Sequence, residues 1–282
     1  MGRRLSAAVF VVTTLMVAAL LLRPAGAQKE TDDQLAFSYV AGAENGPERW
    51  GEIKPEWAIC GNGSLQSPID LSYGRGVPTL GYLDPAYRPA EATIVNRGHD
   101  IMLRFDGDAG SLVINGTAYH LSQLHWHTPS EHAVDGRAYD MELHMVHYSA
   151  EGKAAVVAFL YTEVAIGGHD AFLQGLEPFI RRIAGNDDQQ EQRVGAVDPR
   201  GVRGFPAEYY RYMGSLTTPP CTEGVVWTVV KEVNYVRTVS SDQLRLLRQA
   251  VHDGMQDNAR PLQKANNRDI SIFMFTRLRD SF

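Results

Sequence analysis

The chain has 282 residues, 44% of them apolar and 21% charged, which is ordinary globular usage and excludes collagen-like, coiled-coil and disordered chains. That length holds one large domain or two small ones, with a core that needs no staple merely to fold. A formal net charge of −6 gives no basic nucleic-acid surface.

In chain order, residues 1–27 come first and read as a signal peptide. Arg3 and Arg4 open it, an apolar run covers 5–22, and Ala25-Gly26-Ala27 supplies the small residues a signal peptidase cuts after. The run approaches bilayer-spanning length, so an uncleaved anchor competes; the small residues at the right offset favour cleavage. No second long apolar run follows, and the polar C-terminal stretch around Arg277-Leu278-Arg279 carries no lipid-anchor signal. The expectation is a secretory route without stable membrane insertion. Removing the leader leaves 24 basic against 33 acidic residues, about −9, a charge that suits a neutral substrate better than an anion. Residues 28–282 contain no repeat or linker and read as one domain.

Strand-like segments dominate that domain. Segments 93–95 and 101–105 flank the turn Asn96-Arg97-Gly98-His99. Segments 112–114 and 117–119 flank Asn115-Gly116, the clearest hairpin signal in the chain. Segments 141–148 and 154–161 flank Ala150-Glu151-Gly152-Lys153, and 224–233 and 270–275 are further strands. Helical signals are fewer. One covers 170–184, where Pro178 is expected to break the helix or start a new turn. Another opens on the capping box Ser240-Ser241-Asp242-Gln243, carries the stripe Leu244, Leu247 and Val251, and stops at Gly254. The polar stretch 186–193 reads as a surface loop. The class is mainly β (α+β), with a few helices outside the sheet.

Cys60 and Cys221 are the two cysteines. In an oxidising compartment one disulfide is the natural reading, with two separate buried thiols as the alternative. The sequons Asn62-Gly63-Ser64 and Asn115-Gly116-Thr117 agree with secretion.

Six of the nine histidines lie between His120 and His147. On a strand His125-Trp126-His127 projects both imidazoles from one face, shared with Gln123, while Trp126 points away. Glu142-Leu143-His144 does the same with a carboxylate and an imidazole. If the two strands are neighbours, His125, His127 and His144 can converge into a catalytic zinc site with one open position. Gln123 would then bond the far nitrogen of His125, and Glu142 that of His144. Read blandly, histidine-rich strands are structural. His132 and His147 read as satisfied core histidines.

Those blocks, with Ser130-Glu131-His132, Ser215-Leu216-Thr217-Thr218-Pro219-Pro220-Cys221 and Gly63-Ser64-Leu65-Gln66-Ser67-Pro68-Ile69-Asp70, make the chain resemble the alpha carbonic anhydrases from about Phe37 to Phe275. Asn96-Arg97-Gly98-His99-Asp100 and Trp126-His127-Thr128-Pro129-Ser130-Glu131 look most like plant members. The resemblance implies one domain around a large twisted, mostly antiparallel sheet, with one Zn²⁺ on His125, His127 and His144. It implies hydration of carbon dioxide to bicarbonate by a zinc-bound hydroxide, so the partner is a small molecule. Thr217 would accept the hydroxide's proton and donate its own to Glu131. Val146, Val156, Leu216 and Trp227 would line the pocket, though core packing explains each of them equally. Thr217 and Thr218 would contact substrate, His99 would shuttle protons, and Tyr39 would help order the cleft's water. Cys60–Cys221 would brace the loop of Thr217. Arg97 and Met102 depart from the amide-bearing residues of many animal members. Some plant relatives serve as storage or nectar proteins, so a secreted storage or binding protein is the rival reading. A zinc hydrolase is weaker, because Glu131 is then engaged by Thr217.

Overall fold

The computed structural model describes residues 29–31, 33–72, 75–76, 80–184, 191–202, 208–231, 237–251 and 256–274. The expected leader, the helix stop Gly254 and the ends of the segments 224–233 and 270–275 lie outside these residues. Among them the chain forms β1 (Arg75–Gly76), β2 (Ala86–Tyr87), β3 (Ala90–Asn96), β4 (Ile101–Phe105), β5 (Gly110–Ile114), β6 (Thr117–His127), β7 (Met141–Tyr148), β8 (Ala154–Val164), β9 (Glu191–Val197), β10 (Glu208–Ser215), β11 (Glu223–Val230), β12 (Arg237–Ser240) and β13 (Ser271–Met274). The α-helices are α1 (Trp50–Ile53), α2 (Ile59–Asn62), α3 (Ala171–Ile183) and α4 (Ser241–Ala250).

All strands join one sheet in the order β1-β13-β10-β11-β8-β7-β6-β4-β3-β9, with β12 beside β8 and β5 bridging β2 to β6. Pairing is antiparallel except where β1 meets β13, β11 meets β8 and β12 meets β8. The expected hairpins are present. Asn115 and Gly116 take φ of 48° and 77°, the mirror-image turn whose twist matches that of paired strands.

Each face of the sheet has its own core. On one, Leu124, Trp126, Leu143, Met145, Val157 and Phe159 pack under Leu173, Leu176 and Ile180 of α3 and Leu244 and Leu247 of α4. On the other, Val146, Val156, Ala158, Tyr212, Leu216 and Trp227 form a second cluster. A bulge in β6 decides which residues go where. His120 pairs with Tyr148 and Leu121 with His147, but Gln123 pairs with Val146, so Ser122 is the extra residue. Tyr119 and Leu121 therefore share the helix-covered core with Leu124 and Trp126, and Gln123, His125 and His127 turn to the opposite face.

Three expectations need correction. Pro178 does not break α3, which runs through it. Pro178 and Gln174, whose carbonyl loses its partner, are both exposed, so water can hydrate that carbonyl while Leu173, Leu176, Ile180 and Ile183 anchor the buried face. Residues 191–193 are not loop: they open β9 and pair with β3, Arg193 opposite Thr93. The helix at 241 has its capping box, with Ser240 and Gln243 bonded reciprocally, but ends at Ala250 with Val251 as cap.

A third cluster, Phe37, Tyr39, Trp50 and Trp57, surrounds the disulfide Cys60–Cys221. The bond closes a separation of 161 residues, for which chain entropy gives about 5 kcal/mol as an upper value. Cys60→Ser/Cys221→Ser is expected to lower Tm by about 10 °C in a thermal melt. An unchanged Tm would show that the bond adds nothing to the packing around it.

Candidate metal centre

The register of β6 and β7 builds the site. His125 stands opposite His144, and His127 opposite Glu142, so alternation puts H-x-H and E-x-H on one face. The three imidazoles are buried, and each turns one nitrogen to a common point, the donor atoms lying within 4.8 Å of one another.

The far side of each ring fixes its proton. His125 Nδ1 lies 2.8 Å from Gln123 Oε1, His127 Nδ1 2.8 Å from the main-chain oxygen of Asn258, and His144 Nε2 2.7 Å from Glu142 Oε1. Gln123 is oriented by its own amide, which donates toward Glu30 Oε2 at 3.5 Å. All three oxygens only accept, so each of those ring nitrogens donates. Lone pairs remain on His125 Nε2, His127 Nε2 and His144 Nδ1. Two of them face each other across 3.2 Å, and His127 Nε2 is buried without a hydrogen-bond partner. A tetrahedral ion with bonds of about 2.0–2.1 Å holds its donors about 3.3 Å apart. Three neutral imidazole lone pairs at this spacing fit Zn²⁺. Desolvation, reinforced by the neighbouring rings, holds His125 well below the usual imidazole range, and desolvation also lowers His144. Both rings are neutral at neutral pH, the form that ligates.

Glu142 is clamped from four sides. Oε2 accepts the N–H groups of Glu131 and His132, and Oε1 the ring N–H groups of His132 and His144. Burial alone would raise its pKa, but His132 and His144 pull it well below the usual range, so it stays a carboxylate. His132 continues through Nε2 to the Tyr212 hydroxyl at 2.7 Å, which meets Ser67 Oγ at 2.9 Å. His147 lies on the other face, 2.6 Å from the Tyr87 hydroxyl. Both are satisfied core histidines.

Glu131 Oε1 accepts the Arg260 N–H at 3.0 Å. Its Oε2 sits 3.6 Å from His127 Nε2 and has no hydrogen-bond partner. The expected bond from Thr217 is therefore not made in this structure; the free oxygen leans toward the ring nitrogens instead. Thr217 and Thr218 are buried in the loop between β10 and β11, and Thr218 Oγ1 is also without a partner. That loop is closed by Leu216 N–H to Thr222 O and Cys221 N–H to Thr218 O, and by the disulfide to α2.

Val146, Val156 and Trp227 lie in one cross-strand row, continuing from Gln123, and share an apolar cluster with Leu216. The Trp227 ring is 4.9 Å from that of His144, and its Nε1 donates to Ser215 O. Asn62 and Asn115 are exposed. His99 differs from what a cleft-side proton carrier requires: it is 1% exposed, its ring 4.7 Å from Phe37 and 5.4 Å from Tyr39. Burial pushes its pKa down to about 4.

Asn258, Arg260 and Glu30 were not legible as site residues. Asn258 holds His127 through its main chain, while its side chain accepts from Thr128 N–H and donates to His99 O and Trp126 O. Arg260 likewise acts through its main-chain N–H, and no residue-type pattern signals such roles.

A family model for eukaryotic-type carbonic anhydrases matches residues 45–273. Alpha carbonic anhydrase 7 of Arabidopsis thaliana is 49% identical over 251 residues, covering 88% of this chain and 89% of that protein. A crystal structure of dioscorin complexed with ascorbate superposes with a TM-score of 0.80 at 45% identity, over 86% of this chain and 99% of that one. The alpha-carbonic anhydrase of Thermovibrio ammonificans, in complex with the inhibitor sulfanilamide, gives 0.73 at 34% identity, over 83% and 98%.

Gln123→Ala is expected to weaken zinc affinity about tenfold by freeing the His125 ring, while His125→Ala abolishes stoichiometric binding; competition against a chelator measures both. Equal affinity in Gln123→Ala would mean that the ring is held by packing alone. A second expectation concerns acid. Burial holds both His99 and His147 down to about 4, whereas unfolded imidazoles titrate near 6.5. Between those values the unfolded chain binds protons that the folded chain does not, so stability drops as pH falls through that window. The urea midpoint should be level above pH 7 and decline from about 6.5 toward 4. A flat midpoint across that range would contradict the burial of these rings.

Proposed function

The chain belongs to the alpha carbonic anhydrases, and from that membership we propose that it holds one zinc ion on His125, His127 and His144 and catalyses the reversible hydration of carbon dioxide to bicarbonate and a proton. The observation that carries this reading is the convergence of three lone pairs, each ring oriented from behind by Gln123, Asn258 or Glu142. When bound, zinc lowers the pKa of a coordinated water to about 7 and so supplies the nucleophile at neutral pH.

The chain's own residues supply the rest. Thr217 Oγ1 accepts a hydrogen bond from the nucleophile and turns its own O–H toward Glu131 Oε2, the carboxylate oxygen left over after the Arg260 bond. Glu131 in this role orients and does not abstract, which weighs against a hydrolase needing a free base. Val146, Val156, Leu216 and Trp227 present an apolar wall suited to carbon dioxide. The Thr217 N–H and the Thr218 hydroxyl meet the substrate. His99 exports the proton by swinging its ring from between Phe37 and Tyr39 toward the cleft, where Tyr39 helps order water. The disulfide and the plant relatives support a secretory route ending outside the cell or in a plastid. The exposed Asn62 and Asn115 are its glycosylation sites in this reading.

A storage or binding protein with incidental turnover is the second reading, favoured by the similarity to a dioscorin that was crystallised with ascorbate.

Stopped-flow hydration on purified protein, with zinc quantified in the same sample, separates the two. One zinc per chain with fast, sulfonamide-sensitive turnover is expected; one zinc with negligible turnover favours the binding role, and metal-free, inactive protein overturns the enzyme. Thr217→Ala should cut turnover at least tenfold with zinc retained, and loss of zinc would move Thr217 from catalysis to metal binding. His99→Ala should slow turnover in weak buffer and recover with added imidazole, whereas an unchanged rate would assign proton export to another route.

A further inference from the structure

The segment Lys29-Glu30-Thr31 borders the metal centre, and beyond the Gln123 amide bond to Glu30 none of the roles above uses it. Its far side is pinned to the loop that carries Thr217: the Thr31 N–H donates to Pro219 O at 2.9 Å. Thr31 is itself held by the Asp33 N–H on its Oγ1 at 3.1 Å and by the Gln34 side chain on its carbonyl. On the near side the Glu30 carboxylate pairs with Arg97 and meets the Gln123 amide at 3.5 Å. Glu30 Oε1 then comes to rest 3.8 Å from His125 Nε2, the nitrogen that faces the metal position. Glu30 does not belong to the donor set itself, which closes without it.

The charge balance around this carboxylate is uneven. Arg97 is shared between two acids, since Asp100 takes its Nε at 2.7 Å and also pairs with the guanidinium terminus. Two carboxylates therefore share one guanidinium, all of them shielded: side-chain exposure is 11% for Glu30, 10% for Arg97 and 1% for Asp100. Shielding keeps the surplus negative charge effective at short range, where neither bulk water nor salt screens it fully.

Resting on the proposed reading of the centre, we propose that Glu30 is a charge gate: its carboxylate, held beside His125 by Arg97, disfavours anions at the metal relative to neutral molecules. The group selected against includes the bicarbonate product and small inhibitory anions; the group passed includes carbon dioxide. Glu30 is thus a specificity-determining residue, distinct from the ligands and from the groups that handle protons.

The test uses full-length mature protein loaded with cobalt(II), whose visible spectrum reports ligand binding without turnover. Thiocyanate probes the anion, and imidazole at pH 8.5 the neutral ligand. Glu30→Gln keeps the side chain's size and removes its charge. It is expected to tighten thiocyanate about tenfold (about 1.4 kcal/mol) and to leave imidazole within about twofold. Equal tightening of both ligands would make the segment a steric cover, and no change in either would leave Glu30 without influence; each result overturns the gate. A chain that takes up no cobalt removes the metal reading and this inference with it, whereas cobalt uptake with unchanged thiocyanate affinity removes the gate alone.

Discussion

A buried carboxylate stays charged only where hydrogen-bond donors offset its lost hydration, and the centre is organised around that requirement at Glu142. Its four donors come from the 131–132 turn and from two imidazoles. One ionised group thereby fixes the turn that carries Glu131, the tautomer of His144 and the ring of His132. Removing its charge would weaken all four bonds at once, and with them the hold on the turn and on both rings. The four bonds together act on geometry more than on net stability, since hydrogen bonding at depth offsets a desolvation cost of similar size.

The sheet supplies what that network cannot, namely the face on which it stands. Without Ser122 as an extra residue in β6, His125 and His127 would point into the core under α3 and α4, and Trp126 would point at the metal position. The bulge costs one unpaired residue and reverses the sidedness of everything after it. Because β7, β8 and β11 follow in unbroken register from His125 to Trp227, the ligands and the apolar wall occupy adjoining rows of one surface. The bland and the functional reading of Val146, Val156 and Trp227 are thus the same fact: these residues are core because the wall of the site is core.

Much of this was legible in the chain. Alternation announced the shared face of His125 and His127 and of Glu142 and His144, and Asn115-Gly116 announced its hairpin, because both signals are local and follow from backbone geometry. What stayed hidden was carried by the main chain or by distance. Asn258 holds His127 with a carbonyl that every residue possesses, Arg260 holds Glu131 with an N–H, and Glu30 arrives from a segment 95 positions before His125. Pro178 misled because its effect depends on which side of the helix it occupies, and sequence alone weighed the lost bond without its solvent-exposed location. His99 was read as a turn residue that shuttles protons; Phe37 and Tyr39, far off in sequence, enclose it.

The Cys60–Cys221 bond has a consequence in time as well as in space. Its partners are 161 residues apart, so during synthesis at about 5–20 residues per second the first thiol emerges and waits roughly 10–30 s for the second. Through that interval the loop holding Thr217 does not yet exist, and the aromatic cluster around Cys60 has nothing to close upon. With two cysteines in the whole chain, no incorrect internal pairing is available. A covalent error open to the nascent molecule is a bridge to another chain, which makes its yield sensitive to crowding at the site of synthesis.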